Sequence, residues 1–235
     1  INLNNINNLP KETNLSMSLY NSYNGKLMHT YMHTLNRFQN PDTLSLDPLY
    51  TYKVVVHSVP EVVLDSIKLI PGKHTVIKIK SPLGKLNLKI SGNDNPYNGI
   101  NCIVKSNNQN SILNVQKMNT NKQYLVGSYD LEVLSIPRIK FKDVKINQSK
   151  MTDIVIPLYG SIQVNKSDGP AALFLKDKGK NIWVYDFNEE RSIENLNIQP
   201  GNYFICFRSN RSNSIAHTIL KDFKITSAQN INFKL

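Results

Sequence analysis

Few side chains in this sequence have the types and spacing that chemistry requires. His29-Thr-Tyr-Met-His33 is the nearest thing to a metal motif. On a helix, imidazoles at i and i+4 share a face and can bind one zinc ion. On a strand the same pair stands roughly 13 Å apart at ~3.3 Å per residue, too far for a single ion. The flanking Lys-Leu-Met and Thr-Leu-Asn-Arg-Phe do not read as helix, so no metal site is expected. His57, His74 and His217 are scattered without matching partners. Cys102 and Cys206 lack a Cys-x-x-Cys neighbour and read as small apolar residues, with a bridge between them left open by the sequence. The one dense acidic cluster, Glu189-Glu190-Arg191 with Glu194, falls in a turn, whereas paired-carboxylate hydrolysis needs two acids held across a cleft. Glycine-rich phosphate loops, Gly-x-Ser-x-Gly elbows and His-Glu-x-x-His are all missing. The expectation is a chain with no catalytic residues, no metal and no cofactor.

Aromatic residues are the better binding candidates. Period-two alternation in Lys180-Asn-Ile-Trp-Val-Tyr-Asp-Phe187 puts Trp183, Tyr185 and Phe187 on one strand face, with Ile182 and Val184 on the other. If the aromatic face is core, these rings only pack. If it is exposed, they form a platform for sugar rings or for a protein partner.

The elements that position these residues come from an internal repeat. Tyr52-Lys-Val-Val-Val-His-Ser-Val-Pro60 aligns without gaps on Tyr129-Asp-Leu-Glu-Val-Leu-Ser-Ile-Pro137, an offset of 77. That offset continues through Ile67-Lys68-Leu69 on Val144-Lys145-Ile146 and Ile77/Ile79 on Ile154/Ile156. A third copy matches Tyr203/Ile205/Phe207 to Tyr129/Leu131/Val133, and Ile231/Phe233/Leu235 to Thr152/Ile154/Ile156. Entrances recur at Pro10, at Pro82 with Gly84, and at Pro157 with Gly160. The chain divides into 1–81, 82–157 and 158–235, with residues 1–9 read as the tail of something upstream. Alternating apolar residues separated by turns such as Asn24-Gly25 and Pro200-Gly201 mark half-buried strands. The expected fold class is all-β: three tandem, small antiparallel Ig-like/prealbumin-like β-sandwiches.

A net charge of +11 invites a nucleic-acid reading. The excess is spread as +3, +5 and +3 over the three units, and Lys outnumbers Arg 23 to 5. Diffuse lysine without the arginine that holds phosphates bidentately reads as a solvated surface rather than a nucleic-acid footprint. Lys68, Lys145 and Lys224 fall at equivalent exposed positions, where charge discourages pairing between sheet edges. No apolar run reaches membrane-spanning length. The start at Ile1, without Met or a signal peptide, reads as a mature chain or a piece of a longer one, and the C-terminus, falling where the repeat ends, as authentic.

Leu196-Asn-Ile-Gln-Pro-Gly-Asn-Tyr203 resembles the L-x-x-G-x-Y corner of prealbumin-like, carboxypeptidase-regulatory-like sandwiches. Val126-Gly-Ser-Tyr129 keeps it, while Leu49-Tyr-Thr-Tyr52 lacks the glycine. With Thr51–Pro60 and Gly127–Leu134, nearly the whole chain is similar to the C-terminal repeat region of secreted von Willebrand A domain-containing proteins of Bacteroidetes. The resemblance implies an exported protein of the periplasm, outer membrane or cell surface. It implies a partner in the envelope or an upstream von Willebrand A domain. Asp42-Thr43-Leu44 and Asp65-Ser66-Ile67 resemble the O-glycosylated triplet of such exported proteins, making Thr43 and Ser66 candidate acceptors. The expected function is a non-catalytic spacer, docking or adhesion-associated scaffold. The alternatives are a carbohydrate-binding module or an accessory subunit of an outer-membrane complex.

Overall fold

The computed structural model describes residues 1–9, 14–38, 40–41, 43–95, 99–107, 111–211 and 214–235. Six strands form the first unit: β1 (Asn2–Asn4), β2 (Leu15–Asn21), β3 (Leu27–His33), β4 (Thr51–Val56), β5 (Val62–Lys68) and β6 (Lys78–Lys80). The second holds β7 (Leu83–Ile90), β8 (Asn101–Ser106), β9 (Ile112–Lys117), β10 (Thr120–Leu125), β11 (Gly127–Val133), β12 (Ile139–Ile146) and β13 (Met151–Ile156). The third holds β14 (Gly160–Asn165), β15 (Ala171–Asp177), β16 (Lys180–Phe187), β17 (Ile193–Ile198), β18 (Gly201–Phe207), β19 (Ile219–Ile225) and β20 (Asn230–Lys234). A 3-10 turn at Ile215–His217 is the one helical element among the described residues, and none of these is long and apolar enough to cross a membrane.

Each unit pairs a four-stranded sheet with a smaller one. The four-stranded sheets run β3-β2-β4-β5, β12-β11-β8-β9 and β16-β15-β18-β19. Opposite them lie β1-β6, β10-β7-β13 and β17-β14-β20. The fold is therefore all-β, as tandem small sandwiches. The smaller sheets are not purely antiparallel, because the first and last strands of every unit (β1/β6, β7/β13, β14/β20) meet in parallel. Such a pair closes each unit on itself, the whole sandwich serving as the crossover connection.

Period-two patterning explains the cores. Tyr52/Val54/Val56, Tyr129/Leu131/Val133 and Tyr203/Ile205/Phe207 are all buried, each facing its own smaller sheet. Residues 1–9 are not a foreign tail. Leu3 is fully buried in the first core and pairs with Ile79. A three-residue strand gives no alternation to read, so its parallel pairing with a segment some 75 residues away was hidden. Pro10, the expected entrance, lies outside the described residues.

The tyrosine corners are present in all three units. Tyr129 Oη donates to Leu125 O at 2.6 Å, and Tyr203 Oη to Gln199 O at 2.8 Å. Gly201 lies under its tyrosine, where an added Cβ would come within 3.0 Å of the Tyr203 ring. In the first unit Tyr50 stands at that place, edge-on to Tyr52 with centroids 6.4 Å apart. Tyr52 Oη still reaches a backbone carbonyl, that of Asp47, at 3.0 Å. The corner there survives loss of the glycine by bonding one residue further back.

The units are joined by a repeated junction. The turn after β4 carries Ser58-Val59-Pro60, and the turn after β11 carries Ser135-Ile136-Pro137, both with cis X-Pro bonds. Ser58 Oγ donates to Pro60 O at 2.6 Å and Ser135 Oγ to Pro137 O at 2.7 Å. Val59 packs against the second core and Ile136 against the third. Each carbonyl accepts a backbone bond from the next unit: Leu125 N to Val59 O at 2.8 Å, Gln199 N to Ile136 O at 2.7 Å. Leu125 and Leu83 return the contact to the first core. The third unit departs, with Ser209-Asn210-Arg211 at the equivalent place. Its turn folds back on its own sandwich, Asn210 N donating to Asp168 O at 2.8 Å.

Candidate binding face of the third sandwich

The β15–β16 hairpin decides where the aromatic residues go. Ala171 pairs with Phe187 and Leu173 with Tyr185, but Phe174 then pairs with Trp183, a register shift that leaves Val184 extra. A bulge of this kind breaks the period of two. Trp183, Tyr185 and Phe187 therefore do not share a face, and the common face expected from the alternation is corrected. Phe187 is buried at 3% exposure, edge-on to Tyr185 with centroids 5.3 Å apart. Tyr185 packs against the core. Its hydroxyl donates to the buried Glu194, whose other oxygen accepts Asn188 N at 3.0 Å. That bond, with burial, raises the Tyr185 pKa above the ordinary phenol value.

Trp183 alone of the three points outward, 57% exposed, its indole N–H donating to Asp186 Oδ1 at 2.8 Å. Across the sheet it meets Phe174, which faces Phe204 on β18, which faces Asp222 on β19. The two phenyl rings stack at 4.9 Å and 6°. Lys176 lies 5.5 Å from the Phe204 centroid and bonds Asp222 Oδ1 at 2.8 Å. In the neighbouring row, Ala172–Cys206–Leu220, the first two residues border a cavity of about 380 Å³ that Asp186, Arg208 and Thr218 also line. Phe174 and Phe204 become neighbours through strand register, which spacing along the chain does not reveal.

The remaining candidates are dispersed. His29 and His33 lie on β3, the strand arrangement, with His29 exposed and His33 buried at 2%. Glu189 and Glu190 are exposed while Glu194 is committed to Tyr185 and Asn188. Cys102 and Cys206 are both free. Burial in the second core pushes the Cys102 thiol up to about 12. Thr43 is exposed, and its neighbour Asp42 lies outside the described residues. Ser66 is exposed in β5 at φ 60°, its N–H bonded to Asp65 Oδ1 at 2.6 Å. Asp143 repeats this left-handed bulge at φ 54°, so the Asp-Ser pair also has a backbone role.

One constellation joins residues far apart in the sequence. Ser18 Oγ shares a hydrogen bond with His57 Nε2 at 2.8 Å, and His57 Nδ1 lies 2.8 Å from Glu61 Oε1. Serine, histidine and carboxylate in that order form the relay of nucleophilic hydrolases. Here Ser18 is 4% exposed, on a strand whose backbone is paired on both sides by β3 and β4. N–H groups tied into a ladder cannot stabilise an oxyanion. The arrangement acts as a clamp that ties the turn after β4 to the sheet. The His57/Glu61 spacing was visible in the sequence; the approach of Ser18 depends on register.

No family profile and no curated protein matches the chain. Among solved structures it is similar to the Streptococcal ancillary pilin, at 9% identity and a TM-score of 0.33 over 97% of this chain and 94% of that one. It is similar to BcpA, the major pilin subunit of Bacillus cereus, at 13% identity and a TM-score of 0.24 over 99% and 96%. The Bacillus anthracis TIE protein matches at 13% identity and a TM-score of 0.27 over 95% of this chain, which spans about half of that chain's length (47%). At such scores no residue role carries over.

Proposed function

We propose that the chain is a non-catalytic tandem β-sandwich module of an exported bacterial envelope protein, serving as a spacer that presents a docking surface. The observation that carries this reading is the junction built twice from the same parts. Val59 and Ile136 each enter the next core, and each carbonyl accepts one backbone N–H from the next corner. Sandwiches coupled this way hold a fixed relation, which a spacer requires and an isolated binding domain does not. The outer row of Trp183, Phe174 and Phe204 supplies the docking surface, for a protein of the envelope or a von Willebrand A domain in the same polypeptide.

The runner-up is a carbohydrate-binding module, favoured by the exposed indole of Trp183. Sugar stacking needs an open ring face. Phe174 and Phe204 cover one another, and Lys176 approaches Phe204. That leaves Trp183 as the row's principal free face and favours a protein partner.

The test combines small-angle scattering with cell fractionation. One particle of fixed dimensions and an envelope-localised parent protein are expected. Independently moving sandwiches, or a cytosolic parent, would overturn the proposal. Glycan-array hits lost in Trp183→Ala would replace it with the runner-up.

A further inference from the structure

We infer that the first sandwich carries a strand-accepting groove, and that its occupant is an extended segment covalently continuous with Ile1, of the pattern Gly–polar–aliphatic–polar. The three smaller sheets differ in how far their parallel pair extends. In the second unit all six residues of β13 pair in parallel with β7, Met151 on Lys85 through Ile156 on Ile90. In the third, β20 pairs likewise with β14. In the first, strand pairing covers Lys78–Lys80 with Asn2–Asn4, and one further backbone bond, Asn2 N to Ile77 O at 2.7 Å, ends it. His74–Ile77, the equivalents of Met151–Ile154, have no strand structure.

Register identifies what would lie beside them. Lys78 is equivalent to Val155 and pairs with Asn2, as Val155 pairs with Lys89. Ile1 thus stands at the place of Leu88 and Val164, the last aliphatic position of Gly84-Lys-Leu-Asn-Leu88 and Gly160-Ser-Ile-Gln-Val164. Leu86 and Ile162, two residues earlier, are fully buried core residues, and the first core has no counterpart to them. In their stead is a groove of about 720 Å³, whose apolar wall includes Leu46, Leu69, Val76 and Ile77 and whose remaining lining is largely polar, Asn36, Ser45 and Thr75 among it. Ile70 and Val76 are 56% and 53% exposed.

The two complete sandwiches fix the chemistry of the occupant. A Cβ on Gly84 would lie 2.3 Å from Asn147 O, and one on Gly160 would lie 2.5 Å from the Ile225 side chain. The loop after the sixth strand of each complete sandwich crosses there and admits only glycine. In the first unit the crossing segment is Leu69–Ile70, so glycine belongs four residues ahead of Ile1. An aliphatic residue two ahead fills the groove, with polar residues between facing out. Continuity with Ile1 is the committed source because β7 and β14 run through this point unbroken, and because the two strands of this pattern in a second copy are both already paired in its own sheets.

The experiment compares the 235-residue chain with one extended by Gly-Lys-Leu-Asn ahead of Ile1, and with a control extended by Gly-Lys-Asp-Asn. Amide hydrogen exchange at residues 74–77 is the readout. The matching extension is expected to slow exchange there by at least about tenfold, with the control leaving it unchanged. Equal exchange in all three chains would overturn the groove assignment. Equal protection by the control would overturn the sequence pattern. Equal protection by free Gly-Lys-Leu-Asn peptide added to the unextended chain would overturn the covalent source in favour of a separate strand.

Discussion

Gln199 donates its backbone N–H to the carbonyl of Ile136 across the boundary between the second and third sandwiches, at 2.7 Å. The Ile136 side chain packs against the third core. Two cooperative units joined by a buried apolar contact and a backbone bond unfold together only while the contact lasts. Ile136→Ala should cost about 1–2 kcal/mol, below the ~2–5 of a fully buried aliphatic because Ile136 is half-buried. Scanning calorimetry is expected to resolve a separate transition for the third sandwich. Leu134→Ala, at a 37% exposed position nearby, is expected to leave a single transition.

The tyrosine corners yield a graded comparison. Tyr203 is 1% exposed, and its hydroxyl bonds Gln199 O at 2.8 Å, within the segment that docks on Ile136. Tyr203→Phe leaves a buried carbonyl without that donor and should cost about 1–3 kcal/mol. Tyr52→Phe breaks the longer 3.0 Å bond to Asp47 O, beside exposed residues, and should cost nearer ~1 kcal/mol. Denaturant midpoints of the two variants check the order; equal losses would show the two corners to be alike.

Acid stability should be governed in part by Glu132. Hydrogen bonds from Lys105 at 2.7 Å and Arg138 at 2.9 Å hold its carboxyl at about 2, against an ordinary 4.5. A depressed carboxylate stabilises the fold fully above its unfolded value, and that contribution fades as pH falls toward the folded one. The second sandwich is therefore expected to lose stability between about pH 4.5 and pH 2. Glu132→Gln should lower stability at neutral pH and flatten the profile across that window. An unchanged slope in the variant would remove Glu132 from the account.

The two thiols should differ sharply. Cys102 is fully buried, and burial raises its thiol to about 12, so little thiolate forms at neutral pH. Cys206 lies half-buried on the outer face, opposite Ala172 and Leu220. Native maleimide labelling read by intact mass is expected to add one group, at Cys206, and a second only after unfolding. Two rapid additions to the native chain would contradict the burial of Cys102.

The parts that were legible in the sequence share one property: their signal repeats. Tyr52, Tyr129 and Tyr203 announce three units because the same alternation follows each, and the tyrosine is kept even where Tyr50 replaces the glycine. Three things were not legible, each for a physical reason. Leu3 belongs to a strand too short to show a period, paired in parallel with a segment far along the chain. Tyr185 and Trp183 are separated by a bulge, which alternation cannot contain. Phe174 and Phe204, like Ser18 and His57, meet by strand register, and register is a property of the sheet.

Trp183 offers the most direct reading of the aromatic row, because it is the chain's single tryptophan. Its indole is 57% exposed and held by Asp186, whereas Tyr185 two residues on packs against the core with its hydroxyl on Glu194. The two should therefore separate cleanly in mutation. Trp183→Ala removes exposed surface and should change stability by no more than about 0.5 kcal/mol. Tyr185→Ala opens the core edge and strips the buried Glu194 of a donor, for a loss of about 2–4 kcal/mol. Acrylamide should quench the Trp183 emission efficiently in the native chain, and a bound partner on this face should suppress that quenching. A native emission already shielded from acrylamide, or a large stability loss in Trp183→Ala, would place the indole in the core and remove the docking surface with it.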